Sequence, residues 1–585
     1  MISIALMNGG EGLGRSCLVA ADVTPGWSPA PARLGRRAPR QPAAALRPTG
    51  ACGTGFPPGP DDVRLCPVEA RVVTELDARS QRRVAQLSGK VPVASRRIAR
   101  GYSPAERWVV SFEDGSTAFA KFGSTPVTAQ WLRAEHRVYG KVHGRFMPRL
   151  LGYEEHAARP LLLLEDLSGA SWPPPWRAGD VERLLETMRD VAATPLARGA
   201  LPELESERGR FAGWLNVERD AAPFLSLGLC SQAWLDAALP SLLMAQDLAL
   251  LGGNDLVHGD LRSDNLCFTA DRVVLVDWNA ARRGNAAHDL AALAPSLRLE
   301  GGPLPEELVP GEGALAALAS GYFAANAGLR SIPDAPQVRW IQQRQLRIAL
   351  PWVARSLGLP PPDGSWAQRA LVRLKTQLGQ GEIDERRWFE GVEEVLGDSY
   401  LASDDPRAQS GKSGDDDDWR WSRELILDAL PEGTRSAHVL DVGCANGYLM
   451  ESLARWGEER GLQIEPYGLD ISARIAALAR RRLPAWADRI AVGNVLEHTP
   501  TRRYELVATG LDDVPPARRR ESIERLFRHF LLPGGRVVLR PDRVRKGEPD
   551  VAEQAAALGL RVGGVLTRQH PSSGELWRSA WLEAP

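Results

Sequence analysis

Four side chains at fixed intervals carry the first chemical signal in this chain. His258, Asp260 and Asn265 fall within LVHGDLRSDNL (256–266), and Asp277 ends the apolar run VVLV twelve positions beyond Asn265. Phosphoryl transfer needs a carboxylate to take the proton of an incoming hydroxyl. It also needs oxygen ligands for the Mg²⁺ that bridges the ATP phosphates. Asp260, five positions before Asn265, has the spacing of the proton acceptor, while Asn265 and Asp277 have that of the metal ligands. The bland alternative is a polar loop in which Asp and Asn form turns. Turn formers alone give no reason for His, Asp, Asn and Asp to recur at these intervals.

Length and composition bound what surrounds these residues. With 585 residues the chain exceeds one core, so two or three domains are expected. A hydrophobic content of 44% and a charged content of 25% are those of an ordinary globular protein. The net charge of −1 gives no global field for nucleic acid or an anionic membrane, and neither is expected as a partner. No run reaches the roughly 18 apolar residues of a membrane span. The first residues lack the basic start and apolar stretch of a secretion signal. The six Cys show no CxxC, which suits reduced thiols and a cytoplasmic protein. Residues 1 to 60 hold nine Pro and ten Gly, with six Arg against two acidic residues. So little apolar surface cannot offset chain entropy, and 1–65 is expected to be a disordered extension.

Upstream of the loop, three short strands are expected at 96–100, 108–112 and 117–122, with Asp114-Gly115 turning between the second and third. Lys121 stands late in the third strand. A helix over 130–143 buries Trp131, Val138 and Val142 on one face and carries Glu135. A strand lysine paired with a glutamate of the next helix grips ATP phosphates in kinases. The buried strand LLLLEDL (161–167) ends in Glu165 and Asp166, where a two-lobed kinase has its hinge to adenine.

GYSPAERW (101–108), AFAK ending at Lys121, LLLLEDLSG, HGDLRSDNL and VDWN…HDLA resemble the aminoglycoside/choline-type small-molecule phosphotransferases over roughly 90–390. That resemblance implies Asp260 as base, Asn265 and Asp277 on Mg²⁺, Lys121 and Glu135 at the phosphates, and Asp289 buttressing the loop opened by His258. It also implies a small-molecule hydroxyl as acceptor. The first turn has a single glycine, so its cradling of phosphates departs from a glycine-rich loop.

Helices over 313–325, 337–357 and 366–378 carry apolar residues at three- and four-residue spacing, as a helical second lobe would. Trp340, Arg344, Arg347, Trp352 and Arg355 among them read better as core and solvated face than as an acceptor pocket. The polar stretch 401–418, ending in four Asp, reads as an interdomain linker with a solvated charge run.

Beyond a helix at 421–430 stands HVLDVGCANGY (438–448): a strand, a tight glycine turn, then a helix over 448–460. YGLD then ends a second strand at Asp470. A glycine turn lets backbone approach a ligand, and an acidic residue ending the next strand takes ribose hydroxyls. On the turn alone, a dinucleotide and S-adenosylmethionine are equally served. The motif is D-x-G-x-x-x-G with Asp441 inside the strand. Gly493-Asn494 closes a third strand, and YELVAT (504–509) and LLPGGRVVL (531–539) follow. This set resembles the class I S-adenosylmethionine-dependent methyltransferases over about 420–585. The resemblance places Asp441, Gly443, Ala445 and Gly447 around the methionine moiety, Asp470 on the ribose and Asn494 near adenine. Asp512, Asp513 and His498 stand at strand ends as candidate bases, although capping is the commoner work of such Asp residues. Cys444 reads as a small apolar filler.

The expected architecture is multidomain α/β: a protein-kinase-like two-lobed α+β domain (66–400), an acidic linker (401–418) and a Rossmann-like doubly wound methyltransferase domain (419–585). The expected activity is bifunctional transfer to small-molecule acceptors, using ATP, Mg²⁺ and S-adenosylmethionine. The alternative makes the first domain a nucleotide- or ligand-sensing module for an active methyltransferase. The oligomeric state is not legible.

Overall fold

The computed structural model describes residues 75–584 apart from 99–104, 334, 336, 412–414, 546 and 571–573. The extension at 1–65 and the single-glycine turn after residue 100 lie outside the described residues.

Helix α1 (Ala78–Ser88), capped by the Asp77 carboxylate, precedes a sheet of β1 (Pro92–Arg97), β2 (Glu106–Phe112) and β3 (Thr117–Phe122). Helix α2 (Pro126–Tyr139) follows, then β4 (Leu150–Glu154) and β5 (Leu161–Glu165). The five strands are antiparallel in the order β1-β2-β3-β5-β4. Alternation puts Ala118, Ala120 and Phe122 into a core with Trp108, Val110, Leu161 and Leu163, and α1 closes it with Val84. Thr125 and Thr128 form a reciprocal cap at the start of α2, and Pro126 suits its first turn.

The second lobe is helical. It contains α3 (Asp180–Ala192), α4 (Gln232–Leu248), α5 (Ala287–Leu299), α6 (Gly313–Ala327) and α7 (Gln337–Ser356). Helix α6 is apolar all round, and its residues lie at the centre of the largest core. Two small ribbons stand between the lobes. Strand β6 (Asp255–Val257) pairs with β9 (Arg282–Gly284), and β7 (Leu266–Phe268) with β8 (Val273–Leu275). His258 leaves β6, Asn265 enters β7, and Asp277 lies two positions beyond β8.

Helix α8 (Trp366–Gly379) and helix α9 (Glu385–Ala402) come next. The acidic run differs from the expected linker: Asp415 accepts from the Asp418 amide and opens α10 (Asp416–Arg423). Carboxylates in a first helical turn face the positive end of the helix dipole, so the charge run serves a helix start.

The second sheet contains β10 (Ser436–Val442), β11 (Gln463–Asp470), β12 (Ile490–Val492), β13 (Tyr504–Thr509), β14 (Leu531–Arg543), β15 (Val562–Gln569) and β16 (Leu576–Leu582). Helix α11 (Tyr448–Glu459) links β10 to β11, and α12 (Ala473–Arg482) links β11 to β12. The order is β12-β11-β10-β13-β14-β16-β15. Strands β10 to β14 run parallel, and the last pair is antiparallel. The chain winds outward one way from β10 and then the other way through β13. Their carboxyl ends therefore open a crevice where such sheets bind ligands.

The two units are in contact. Leu299 and Ile348 of the first pack with Leu401 of α9 and with Ala445, Ile475 and Leu478 of the second. Among the described residues no helix is long and apolar enough to cross a membrane.

Candidate active sites

In the first unit, a cleft of about 830 Å³ lies between the antiparallel sheet and the 258–277 region. Lys121 reaches into it from β3 and Glu135 from α2. Lys121 Nζ donates to Glu135 Oε2 at 2.7 Å and also meets the Asp277 carboxylate. Lys121 is 5% exposed and Glu135 1%. Burial pulls the ammonium down, but the two carboxylates outweigh it and Lys121 ends above its ordinary value. The Glu135 carboxylate is pushed up by burial, against the pull of Lys121. Its Oε1 is buried without a hydrogen-bond partner. Asp277 holds φ at 64°, a left-handed conformation that costs a residue with a Cβ.

The loop below is rigid in identifiable ways. Asp289, fully buried at the start of α5, accepts from the amides of His258 (2.6 Å) and Gly259 (2.8 Å). Burial drives its carboxyl up to about 7, with those amides opposing. His258 Nε2 faces the Val276 carbonyl at 2.9 Å, so it must donate, and Nδ1 is left to accept the Asp260 amide at 3.3 Å. Burial lowers His258 to about 4, so the ring is neutral and its tautomer fixed. The Asn265 amide nitrogen donates to the Asp260 carbonyl (2.8 Å) and to its Oδ2 (3.2 Å). That leaves Asn265 Oδ1 as the free end of the amide.

These donors suit Mg²⁺. It takes one or two carboxylate or amide oxygens and completes its shell with phosphate and water. Asn265 Oδ1 and the Asp277 carboxylate are hard oxygens lining the same cleft. A cluster of three or more His, Cys, Asp or Glu suited to a metal does not occur among the described residues.

Glu165 and Asp166 also line the cleft, but their carboxylates are occupied. Glu165 is held by Arg272 at 2.7 and 2.8 Å and accepts the Arg149 amide, while Asp166 caps the Ser168 amide. The apolar wall is Val109, Phe119, Leu132 and Leu164. Arg107 and the rim residues Trp172 to Pro174 also line the cleft, and sequence reading missed them. Trp340, Arg344, Arg347, Trp352 and Arg355 do not line it. Trp352 is core, Arg344 and Arg347 pair with Asp398, and Arg355 pairs with Glu306.

In the second unit, a pocket of about 280 Å³ opens at the carboxyl ends of the parallel strands. The turn after β10 holds Gly443 at φ 73°, Ala445 at 48° and Gly447 at 78°. The positive φ at Gly447 strains any residue with a Cβ, so the backbone favours glycine there. Asp470, ending β11, accepts the Ala445 amide at 2.9 Å and the Ser472 amide at 2.8 Å, tying corner to strand end. Burial raises Asp470 to about 6 and Asp441 to about 7, the latter against Arg540. Asn494 lines the pocket beyond β12, its Oδ1 accepting the Leu496 amide at 3.0 Å. All six expected residues bar Gly447 line this one pocket.

The donor set fits S-adenosylmethionine. Carboxylates answer its sulfonium and ammonium, and Asp470 retains acceptor capacity for ribose hydroxyls. Two groups that sequence reading missed complete the walls. Phe389, Val392, Glu393, Leu396 and Tyr400 of α9 form one side, at the three- and four-residue spacing of a single helix face. Arg540, on β14, donates to the Val442 carbonyl (2.7 Å), to Asp441 Oδ1 (3.3 Å) and to both oxygens of Asp513 (2.6 and 2.5 Å). Its position at a parallel strand's carboxyl end was the available signal. Asp513 also caps the Gly510 amide at 2.7 Å, Asp512 is exposed beside Arg519, and His498 is not in the pocket lining. Cys444 is buried, and burial pushes its thiol well up, as for an inert filler.

Residues 95–340 match the Phosphotransferase enzyme family. The first unit has the kinase-like fold, and the second unit has the 3-2-1-4-5 parallel order and closing antiparallel pair of class I methyltransferases. No curated protein matches the chain. Among solved structures, spectinomycin phosphotransferase, in complex with ADP and spectinomycin, is 13% identical. That match covers 48% of this chain and 98% of that one, with a TM-score of 0.33. A macrolide 2'-phosphotransferase from Brachybacterium faecium is 16% identical, with 54% and 96% covered and a TM-score of 0.29. Geranyl diphosphate C-methyltransferase from Streptomyces coelicolor A3(2) is 16% identical, with 31% and 88% covered and a TM-score of 0.20.

Proposed function

We propose that the chain is a bifunctional transferase, which phosphorylates a small-molecule hydroxyl with ATP and Mg²⁺ and methylates a small molecule with S-adenosylmethionine. The observation that carries the first half is the meeting of Lys121, Glu135, Asp260, Asn265 and Asp277 around one cleft. A bound Mg²⁺ supplies charge neutralisation at the phosphates. Asn265 and Asp277 hold it, Lys121 steadies the phosphates from the sheet side, and Glu135 orients Lys121. Asp260 accepts the proton of the acceptor hydroxyl, held in place by the Asn265 amide and by the Asp289-clamped backbone. A module that only sensed ligands would have no use for a buried, oriented base, so this arrangement favours turnover over the sensing alternative.

The second half rests on the glycine corner tied to Asp470. Bound S-adenosylmethionine supplies an activated methyl group. The protein's work is to hold the acceptor in line with it, since displacement at a sulfonium gains most of its rate from proximity. Asp513 is committed to Arg540 and to a cap, and no general base is assigned. The deciding experiment measures ADP release and methyl incorporation across a panel of hydroxylated metabolites. No ADP formation with any acceptor despite ATP binding would return the first unit to a sensing role.

A further inference from the structure

Helix α5 grips the loop of the first site at both of its ends. Asp289, in its first turn, clamps the amides of His258 and Gly259. Glu300, which caps its far end, reaches the same loop further along: its Oε1 accepts the Ser263 hydroxyl at 2.6 Å. The helix between them sets the two clamps roughly 16 Å apart. Ser263 opens the short turn Ser263–Asn265 that leads into β7, so the second clamp falls between Asp260 and Asn265.

The other oxygen of Glu300 serves the rim of the cleft. Its Oε2 accepts the Trp176 indole N–H at 2.7 Å. Trp176 follows the rim residues Trp172 to Pro174 and meets the Phe268 ring of β7 edge-on, with centroids 5.9 Å apart. Ser171 and Phe268 exchange backbone hydrogen bonds at 2.9 and 2.8 Å, so rim and loop are already neighbours. Glu300 is itself well held. Its amide meets the Ser296 carbonyl at 3.1 Å, the Leu299 carbonyl before it takes Arg474 at 2.9 Å, and Arg298 reaches the Gly302 carbonyl beyond it at 3.0 Å. A hydrogen bond to an ionised carboxylate is about twice as strong as a neutral one, which makes this bridge a firm tether. Glu300 is not in the cleft lining, so any effect on the reaction runs through Ser263 and Trp176. Resting on the phosphoryl-transfer reading above, we propose that Glu300 is a positioning residue, which sets Asp260 and Asn265 relative to each other through the Ser263 hydroxyl and holds the Trp172–Pro174 rim against them through Trp176.

The first arm of the test reads order in the ligand-free full chain. Hydrogen exchange over 259–268 should quicken by about tenfold or more in E300A. The Asn265 amide, bonded to the Arg262 carbonyl at 3.0 Å, is the sharpest reporter. E300Q keeps both contacts, because its carbonyl oxygen accepts the indole and its amide donates to a hydroxyl that turns to accept. It should exchange as wild type does.

The second arm reads ADP release with a verified acceptor. E300A should lower kcat about ten- to a hundredfold, the cost of a small misplacement of reacting groups. Its KM for ATP should stay within about twofold, since Lys121 and Glu135 stand on other elements. E300Q should remain within about threefold of wild type, and adding S263A to E300A should cost no more than about twofold further, because both variants cut one tether. If E300A melts earlier than wild type, S263A, which removes only the hydroxyl, replaces it in both arms. Exchange at the wild-type rate in E300A overturns the role, and so does an unchanged kcat. A loss in E300Q equal to that in E300A and confined to the acceptor KM also overturns it, because charge and not position would then matter. Wild type releasing no ADP with any acceptor removes the phosphoryl-transfer reading and this role with it; an active wild type beside an unaffected E300A removes this role alone.

Discussion

Asp398 of α9 and Arg474 of α12 meet at 2.7 Å, and through that contact the two units share one buried charge centre. Asp398 also accepts from Arg344 (2.7 and 2.8 Å) and Arg347 (3.0 Å) of α7. Arg474 in turn donates to the Leu299 carbonyl (2.9 Å) and to Glu393 (2.8 Å). Glu393 also accepts Ser472 Oγ at 2.6 Å, and the Ser472 amide donates to Asp470. A continuous set of hydrogen bonds therefore runs from the first unit's helices to Asp470 of the second pocket. The helix expected to close the first domain is a wall of the second site.

D398A leaves three arginines around an emptied, buried position, and an uncompensated buried charge costs about 3–5 kcal/mol. The variant should unfold earlier in a thermal scan and bind S-adenosylhomocysteine more weakly. A fragment of residues 419–585, which lacks α9, should bind that ligand far more weakly than the full chain. Equal affinity of fragment and full chain would remove α9 from the site.

Removing the proton acceptor tests the first cleft. D260A should lower kcat for phosphoryl transfer by about a hundred- to ten-thousand-fold, the usual worth of a positioned general base. The KM for ATP should change little, because Lys121, Asn265 and Asp277 remain. Steady-state ADP release with a verified acceptor reads both quantities, and an unchanged kcat would reassign the base.

Cofactor affinity should depend on pH through Asp470. Its carboxyl is raised to about 6 by burial, while ribose hydroxyls are best accepted by the ionised form. Below that value the ligand-free protein is protonated at Asp470, and binding must expel the proton. Affinity for S-adenosylhomocysteine should therefore be highest above about pH 7 and weaken as pH falls through about 6. Asp441, raised to about 7, titrates in the same range, so D470N is compared with D441N. D470N should bind weakly and lose the part of the slope centred near 6 in calorimetric titrations.

The parts legible in the sequence were those set by local spacing. Asp260, Asn265 and Asp277 lie within one short stretch, and the ribbons β7 and β8 fold that stretch back on itself, so sequence spacing becomes spatial contact. The corner from Asp441 to Gly447 is read in the same way, because backbone strain at Gly447 demands its residue type. Arg540 and the α9 face were not legible as site residues. Each reaches the pocket from an element distant in sequence, and an apolar stripe such as Phe389, Val392 and Leu396 looks the same whether it covers a core or a cofactor. Glu165 shows the converse: it ends its strand at the cleft, but Arg272, more than a hundred residues away, decides where its carboxylate points.

The buried pair of Lys121 and Glu135 separates stability from chemistry. Both side chains are almost wholly out of water, and Glu135 Oε1 has no partner, so the pair is held at a desolvation cost. K121M removes the cation while filling most of its volume, which strands Glu135 and leaves Asp277 without its ammonium. The unfolding transition of the first unit should shift by about 3–5 kcal/mol of destabilisation. Adding E135L replaces the stranded charge with an apolar side chain and should restore much of that loss, giving a coupling energy in a double-mutant cycle well outside additivity. ATP turnover should be lost in both variants, because neither has the ammonium proposed to steady the phosphates. Recovery of stability without recovery of turnover is the expected signature of a pair kept for its chemistry. If K121M is as stable as wild type, the pair is wetter than its burial indicates, and Lys121 cannot owe its position to Glu135.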